Sequence, residues 1–308
     1  MAAQTALVTL DASSAQRHRY ADLLLLRDYW ALTKPEINFL IVITTFAGFY
    51  LAYSGSSQNF PFLLLTKALA GTLLIASGAG TLNQYIERSF DSQMRRTSRR
   101  PLAAGRLGPR AVLRFGLTLS AAGSLYLAVA VNGLASLLAL FTLLSYLLLY
   151  TPLKRRTPLC TLVGALPGAM PPLIGWAAAT GRVTLEAWML VAVIFLWQFP
   201  HFMAIAWMYR EDYDRAGYLV LPDGVERARF AVLQTLLPLL GLITLTLLPA
   251  FTDQSHILYY AGASFLNLGF LYSGMQFALR RSPSSARRLL AVSIIYLPLL
   301  FGLMILRG

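Results

Sequence analysis

The chain has 308 residues, of which 57% are hydrophobic and 13% charged, against about a quarter charged in an average soluble domain. Apolar runs long enough to cross roughly 30 Å of hydrocarbon recur along it, which excludes a soluble globular protein and implies an all-α, polytopic membrane protein in a lipid bilayer. The net charge of +13 would suit a nucleic-acid binder, but the cations fall in alternate loops, the pattern of membrane topology, and nucleic acid is excluded as a partner.

Residues 1–35 read as a cytoplasmic N-terminal segment that carries Arg17, Arg19, Arg27 and Lys34 together with Asp11, Asp22 and Asp28. No short apolar core with a small-residue cleavage site follows, so neither a secretory signal nor a transit peptide is read there. Residues 36–308 follow as one transmembrane domain with nine predicted spans, at 36–54, 62–86, 111–131, 135–150, 159–179, 186–208, 228–250, 256–279 and 289–306. All of the 26 Lys and Arg except Lys67, Arg182 and Arg307 then lie on one side, which the positive-inside rule makes cytoplasmic, N-terminus included. A bacterial inner (plasma) membrane is the simplest home, with a mitochondrial or plastid inner membrane as the alternative. The lone Cys160 excludes an intrachain disulfide.

The second span ends in Asn83, Glu87 and Asp91. At i, i+4 and i+8 they share one helix face and form a polar stripe about 12 Å long, at a depth where charge without a purpose is disfavoured. Magnesium takes one or two carboxylates plus substrate phosphates, so Glu87 and Asp91 are candidate metal ligands. Arg88, Arg95, Arg99 and Arg100 just beyond them are candidate diphosphate ligands. The loop after the fourth span adds Lys154 and Arg155. Gly164, Gly168, Pro171, Pro172 and Gly175 interrupt the fifth span and predict close packing and a kink.

The sixth span contains Trp197-Gln198-Phe199-Pro200-His201-Phe202. Pro200 removes a backbone donor and is expected to bend or loosen the helix, while Gln198 and His201, three apart, put polar groups on one face. Asp212 and Asp214 follow at its cytoplasmic end. Four spans separate this acidic end from the first, so both helices point the same way. The two ends are expected to face each other across a central cavity open to the cytoplasmic side, with magnesium and diphosphate between them. The apolar surroundings suggest a long apolar chain as the group that diphosphate leaves behind.

These residues resemble the UbiA superfamily of intramembrane prenyltransferases, and within it the haem-farnesylating branch. The resemblance rests on Asn83-Gln84 with Glu87-Arg88 and Asp91, on Met94 with Arg96-Thr97 and Arg100-Pro101-Leu102, and on Tyr150-Thr151 with Lys154-Arg155. It continues through Gly168-Ala169 with Pro171-Pro172 and Gly175, Trp197-Gln198 with Pro200-His201-Phe202, and Asp212-Tyr213 with Ala216-Gly217-Tyr218 and Leu221-Pro222. It implies farnesyl diphosphate and haem B as substrates, magnesium as cofactor, haem O and pyrophosphate as products, and haem A synthase or an oxidase assembly factor as a partner protein. It also implies Asn83 as a metal ligand beside Glu87, Asp91, Asp212 and Asp214, catalytic roles for Asn83, Glu87, Asp91, His201 and Asp212, and an acceptor pocket of Gln198, His201 and Tyr209. Tyr209 stands where many members of the superfamily carry the first aspartate of the second motif. Two other readings stay open: prenyl transfer to an aromatic quinone precursor, and secondary transport of an anionic metabolite. Charges gathered at one face count against the transporter.

Overall fold

A computed structural model describes residues 22–53, 59–248 and 257–307, with the Arg307 side chain outside the description. Among these residues the fold is all-helical. A short helix, α1 (residues 22–32), precedes α2 (Pro35–Tyr53), α3 (Phe62–Asp91), α4 (Pro109–Ala130) and α5 (Gly133–Leu144). The chain then passes through a π-helical turn, Ser145–Tyr150, into α6 (Thr151–Leu153), and on to α7 (Cys160–Ala169) and α8 (Pro171–Thr180). The remaining helices are α9 (Leu185–Met208), α10 (Arg210–Arg215), α11 (Glu226–Leu247), α12 (Ile257–Arg280) and α13 (Pro283–Arg307).

Among the described residues helix therefore occupies each of the nine predicted places. Among the described residues eight spans are long and apolar enough to cross a membrane. The 24-residue α12 carries Ser264, Asn267, Ser273 and Gln276 and is less apolar. Three boundaries differ from expectation for local reasons. Helix α3 runs on to Asp91, past the predicted end at 86, so the whole polar stripe lies on the helix, as its i, i+4, i+8 spacing required. The fifth span divides at Met170, because Pro171 and Pro172 open α8 and lack the amide hydrogens that would continue α7. The ninth begins at Pro283, ahead of Arg287 and Arg288, with Ser285 N donating to Ser282 Oγ at 3.2 Å. Helix α9 contains Pro200 without ending there.

Small residues let the helices approach closely, as bilayer packing requires. Gly175 of α8 lies against the carbonyl oxygen of Thr45 on α2, where a β-carbon would have no room. Gly168 of α7 likewise lies against the side-chain oxygen of Gln198 on α9. In the C-terminal helices, Tyr296 OH donates to Asn267 Oδ1 at 2.7 Å and Asn267 Nδ2 to Thr246 Oγ1 at 2.9 Å. The outer faces are apolar and exposed, as at Leu63, Val129 and Phe265, 70%, 80% and 78% accessible, which suits lipid rather than water as the solvent.

Candidate active site

The last two turns of α3 bury Asn83, Glu87 and Asp91, and each holds a cation from a different segment. Lys34, between α1 and α2, donates from Nζ to Asn83 Oδ1 at 2.7 Å. Lys154, after α6, reaches Glu87 Oε1 at 2.8 Å. Arg100, in the loop after α3, donates from Nη1 to both Asp91 oxygens at 2.8 and 2.7 Å. Asn83 Nδ2 donates in turn to Thr151 Oγ1 at 3.3 Å. The stripe is thus a row of satisfied buried polar groups, as burial demands.

Electrostatics separate the two lysines. Burial, reinforced by the nearby Arg100 guanidinium, lowers the pKa of Lys34 to about 7. Burial also opposes the charge on Lys154, but Glu87 outweighs it and holds that pKa well above the usual lysine value.

The second acidic end docks on the same region. Helix α9 stops at Tyr209, and α10 places Asp212 so that Oδ2 accepts from the Arg96 backbone N–H at 3.2 Å, while Oδ1 meets Arg215 Nη1 at 3.1 Å. The Arg96 guanidinium lies over the Tyr209 and Tyr213 rings at 4.9 and 5.7 Å. Beyond α10, Gly217 turns in the left-handed region at φ 68°, and Leu219 N donates to Lys154 O at 2.7 Å. Tyr218 packs edge-on against Phe90 at 5.7 Å. The four carboxylates expected to act together are not equivalent: Asp214 pairs with Arg227 at 2.9 Å, half exposed, whereas Glu87, Asp91 and Asp212 are buried. Among the described residues no three of His, Cys, Asp and Glu converge as a metal-ligand group.

Of the candidate diphosphate ligands, the fold brings Arg100 and Lys154 onto the stripe. Arg155 stacks beside it, 4.3 Å from the Phe90 ring centroid. Arg88 is exposed and donates to Tyr85 O at 2.7 Å, since i+1 from Glu87 points off the stripe. Arg95 and Arg99 are also exposed.

The three acceptor-pocket candidates diverge. Gln198 Nε2 donates to Ala165 O of α7 at 3.0 Å and to Ile194 O at 3.2 Å. His201 Nδ1 lies 2.8 Å from Ser293 Oγ of α13, its ring stacked on Trp197 at 4.8 Å. Tyr209 sits under Arg96 at the helix end. A shared face was expected for Gln198 and His201, but neighbouring helices on either side claim one each. A cleft of about 470 Å³ lined by Leu26, Tyr29, Trp30, Thr33 and Phe115 lies between α1 and α4 and includes none of the candidate site residues.

Lys34, Thr151 and Arg96 join this site without having been named as candidate site residues from sequence, although Arg96 and Thr151 are among the residues that carry the resemblance. Lys34 reads there as one more topological charge, although its place directly before Pro35 at the start of a span was a usable signal.

Buried carboxylates and an amide, each matched by a cation of the chain, thus lie at the end of a helix long and apolar enough to span a membrane. Residues 41–297 match the model described as UbiA prenyltransferase family, and the chain belongs to that family. It is 48% identical over 287 residues to a Solibacter usitatus protein named Protoheme IX farnesyltransferase, covering 91% of this chain and 98% of that one. A Koribacter versatilis protein of the same name is 40% identical, with 92% and 93% covered. Among solved structures, one described as digeranylgeranylglyceryl phosphate synthase in membranes superposes with a TM-score of 0.71 at 17% identity, covering 91% of this chain and 97% of that one. A UbiA homolog from Archaeoglobus fulgidus bound to GPP and Mg2+ gives 0.62 at 14% identity, covering 90% and 99%. At such identities these two establish the fold.

Proposed function

We propose that this prenyltransferase moves the farnesyl group of farnesyl diphosphate onto a vinyl group of haem B, with addition of water, giving haem O and pyrophosphate on the way to haem A. The observation that carries this reading is the 48% identity over nearly the whole chain to a protein named for that activity. The cation-matched stripe on α3 supports the diphosphate half of the reaction.

In this reading the allylic C–O bond of farnesyl diphosphate breaks and its electron pair leaves with the diphosphate. Lys154 and Arg100 stabilise the charge that develops there, an electrostatic effect that burial strengthens. The vinyl π pair of haem B bonds to the allylic carbon. Water adds to the cation left on the vinyl group, and a base takes the surplus proton. Helices packed around the reacting carbons keep other water away until then. His201 is the candidate acceptor-side residue, through haem placement or water activation.

Asn83, Glu87, Asp91 and Asp212 offer hard oxygen donors of the kind magnesium prefers, and each carries a cation or N–H donor of the chain itself. Their chemistry suits the ion, and Asp214, paired with Arg227, stands apart from them. Bound there, magnesium would supply further positive charge to the diphosphate. The distribution of Lys and Arg supports a cytoplasmic N-terminus, and the bacterial relatives support an inner-membrane location.

The test is incubation of purified protein with farnesyl diphosphate, haem B and magnesium. Pyrophosphate release with a haem heavier by one hydroxyfarnesyl addition is the expected result. Transfer to 4-hydroxybenzoate but not to haem B would overturn the assignment.

A further inference from the structure

From Leu289 to Leu306, α13 carries two hydroxyls, Ser293 and Tyr296. Tyr296 is taken up by Asn267, and Ser293 is fully buried where α13 packs on α9. A serine needed only for close packing is satisfied by a carbonyl of its own helix, as Ser120 is by Gly116 O at 2.8 Å. Ser293 meets α9 twice besides. Its Oγ lies 2.8 Å from His201 Nδ1, and its carbonyl oxygen accepts from Trp197 Nε1 at 2.8 Å.

The hydroxyl decides which nitrogen of His201 carries the proton. A serine hydroxyl has one proton to give and two lone pairs with which to accept. Ser293 Oγ lies 2.7 Å from Leu290 O, and a carbonyl oxygen only accepts, so the proton sits between those two oxygens. Towards His201 the hydroxyl then has only a lone pair to offer, and Nδ1 must be the N–H donor. In the neutral ring the free lone pair falls to Nε2, which has no hydrogen-bond partner among the described residues. Trp197 fixes the plane, its indole stacked on the imidazole at 4.8 Å and an interplanar angle of 28°. Ser293 thus holds the ring by its edge and, through Trp197, by its face.

We propose that Ser293 is a positioning residue, which keeps His201 in the Nδ1–H tautomer and so presents the Nε2 lone pair to the acceptor. The proposal rests on the reading of His201 as an acceptor-side residue. Placement of haem through its iron and removal of a proton from water both need that lone pair, and an Nε2–H ring could do neither. In the second case the water oxygen bonds to the vinyl cation, the proton it releases passes to Nε2, and Nδ1–H stays on Ser293.

The experiment is nitrogen NMR of the full chain in detergent with isotope-labelled histidine, the His201→Phe sample identifying the His201 signals, together with transfer kinetics for farnesyl diphosphate and haem B. The wild type is expected to show Nδ1 as the protonated and Nε2 as the unprotonated nitrogen at neutral pH. Ser293→Ala should shift the ring at least halfway to the other tautomer and lower transfer to haem B at least fivefold, with the KM for farnesyl diphosphate within twofold of wild type. Ser293→Thr keeps the hydroxyl and should restore both signals and rate; Ser293→Cys, a weak acceptor, replaces the alanine variant if that protein is not monodisperse. A protonated Nε2 in the wild type, or wild-type transfer by Ser293→Ala, would overturn the proposal. Full transfer to haem B by His201→Phe would overturn the acceptor-side reading on which it rests, whatever tautomer the signals report.

Discussion

Lys154 Nζ and Glu87 Oε1 meet at 2.8 Å across 67 positions of sequence, both largely buried. This contact joins the loop after α6 to the middle of the polar stripe. Removing one partner of a buried pair strands the other, at a cost of about 3–5 kcal/mol. Lys154→Met is therefore expected to lower thermal stability in detergent markedly and to abolish turnover. The double variant with Glu87→Gln should recover most of the stability and none of the activity. Equal stability of the single variant and wild type would show that the pair does not hold the fold.

The two aspartates of the second acidic end should behave differently. Asp212 is buried against Arg96 N and Arg215, whereas Asp214 is half exposed and paired with Arg227. Asp212→Asn, like Asp91→Asn, should reduce turnover at least a hundredfold while the protein still inserts in the membrane. Asp214→Asn should keep activity within threefold. Pyrophosphate release assays on the three variants decide it, and full activity in Asp91→Asn and Asp212→Asn would remove the metal reading.

His201 has its Nδ1 engaged by Ser293 and its ring stacked on Trp197. His201→Phe keeps the stack and removes the nitrogens. Under the proposed function it should weaken haem B binding or turnover tenfold or more and leave the KM for farnesyl diphosphate unchanged. A change confined to farnesyl diphosphate would move His201 out of the acceptor's half of the reaction.

The contact of Gly175 with the Thr45 carbonyl is a packing test. Gly175→Ala forces α2 and α8 apart at a cost of about 1–3 kcal/mol, typical of overpacking. Because α2 follows directly on Lys34, which holds Asn83 of the stripe, the variant should also weaken pyrophosphate binding. Thermal melting and titration of the same sample would show both losses.

The helices and the acidic stripe were legible because each depends on near neighbours in sequence. Apolar length alone marks a span, since an unpaired backbone is not tolerated in hydrocarbon. Spacing alone puts Asn83, Glu87 and Asp91 on one face. The boundary at Pro283 was harder, because Arg287 and Arg288 lower the local hydropathy inside a helix that a serine turn had already begun. The shared face of Gln198 and His201 did not foretell their partners: periodicity gives an angle, and the neighbours α7 and α13 decide what each side chain meets.

By itself the sequence determined a helical membrane protein, an acidic end on each of two helices, and a resemblance that the family match bears out. Only the tertiary structure decided which cation meets which oxygen. Arg100 rather than Arg88 reaches Asp91, Asp212 separates from Asp214, and Lys34 closes on Asn83 from 49 residues away. Charge type and helical spacing are local properties of a chain, but the pairing of buried charges is settled by which helix ends pack together and by what each would lose if left alone.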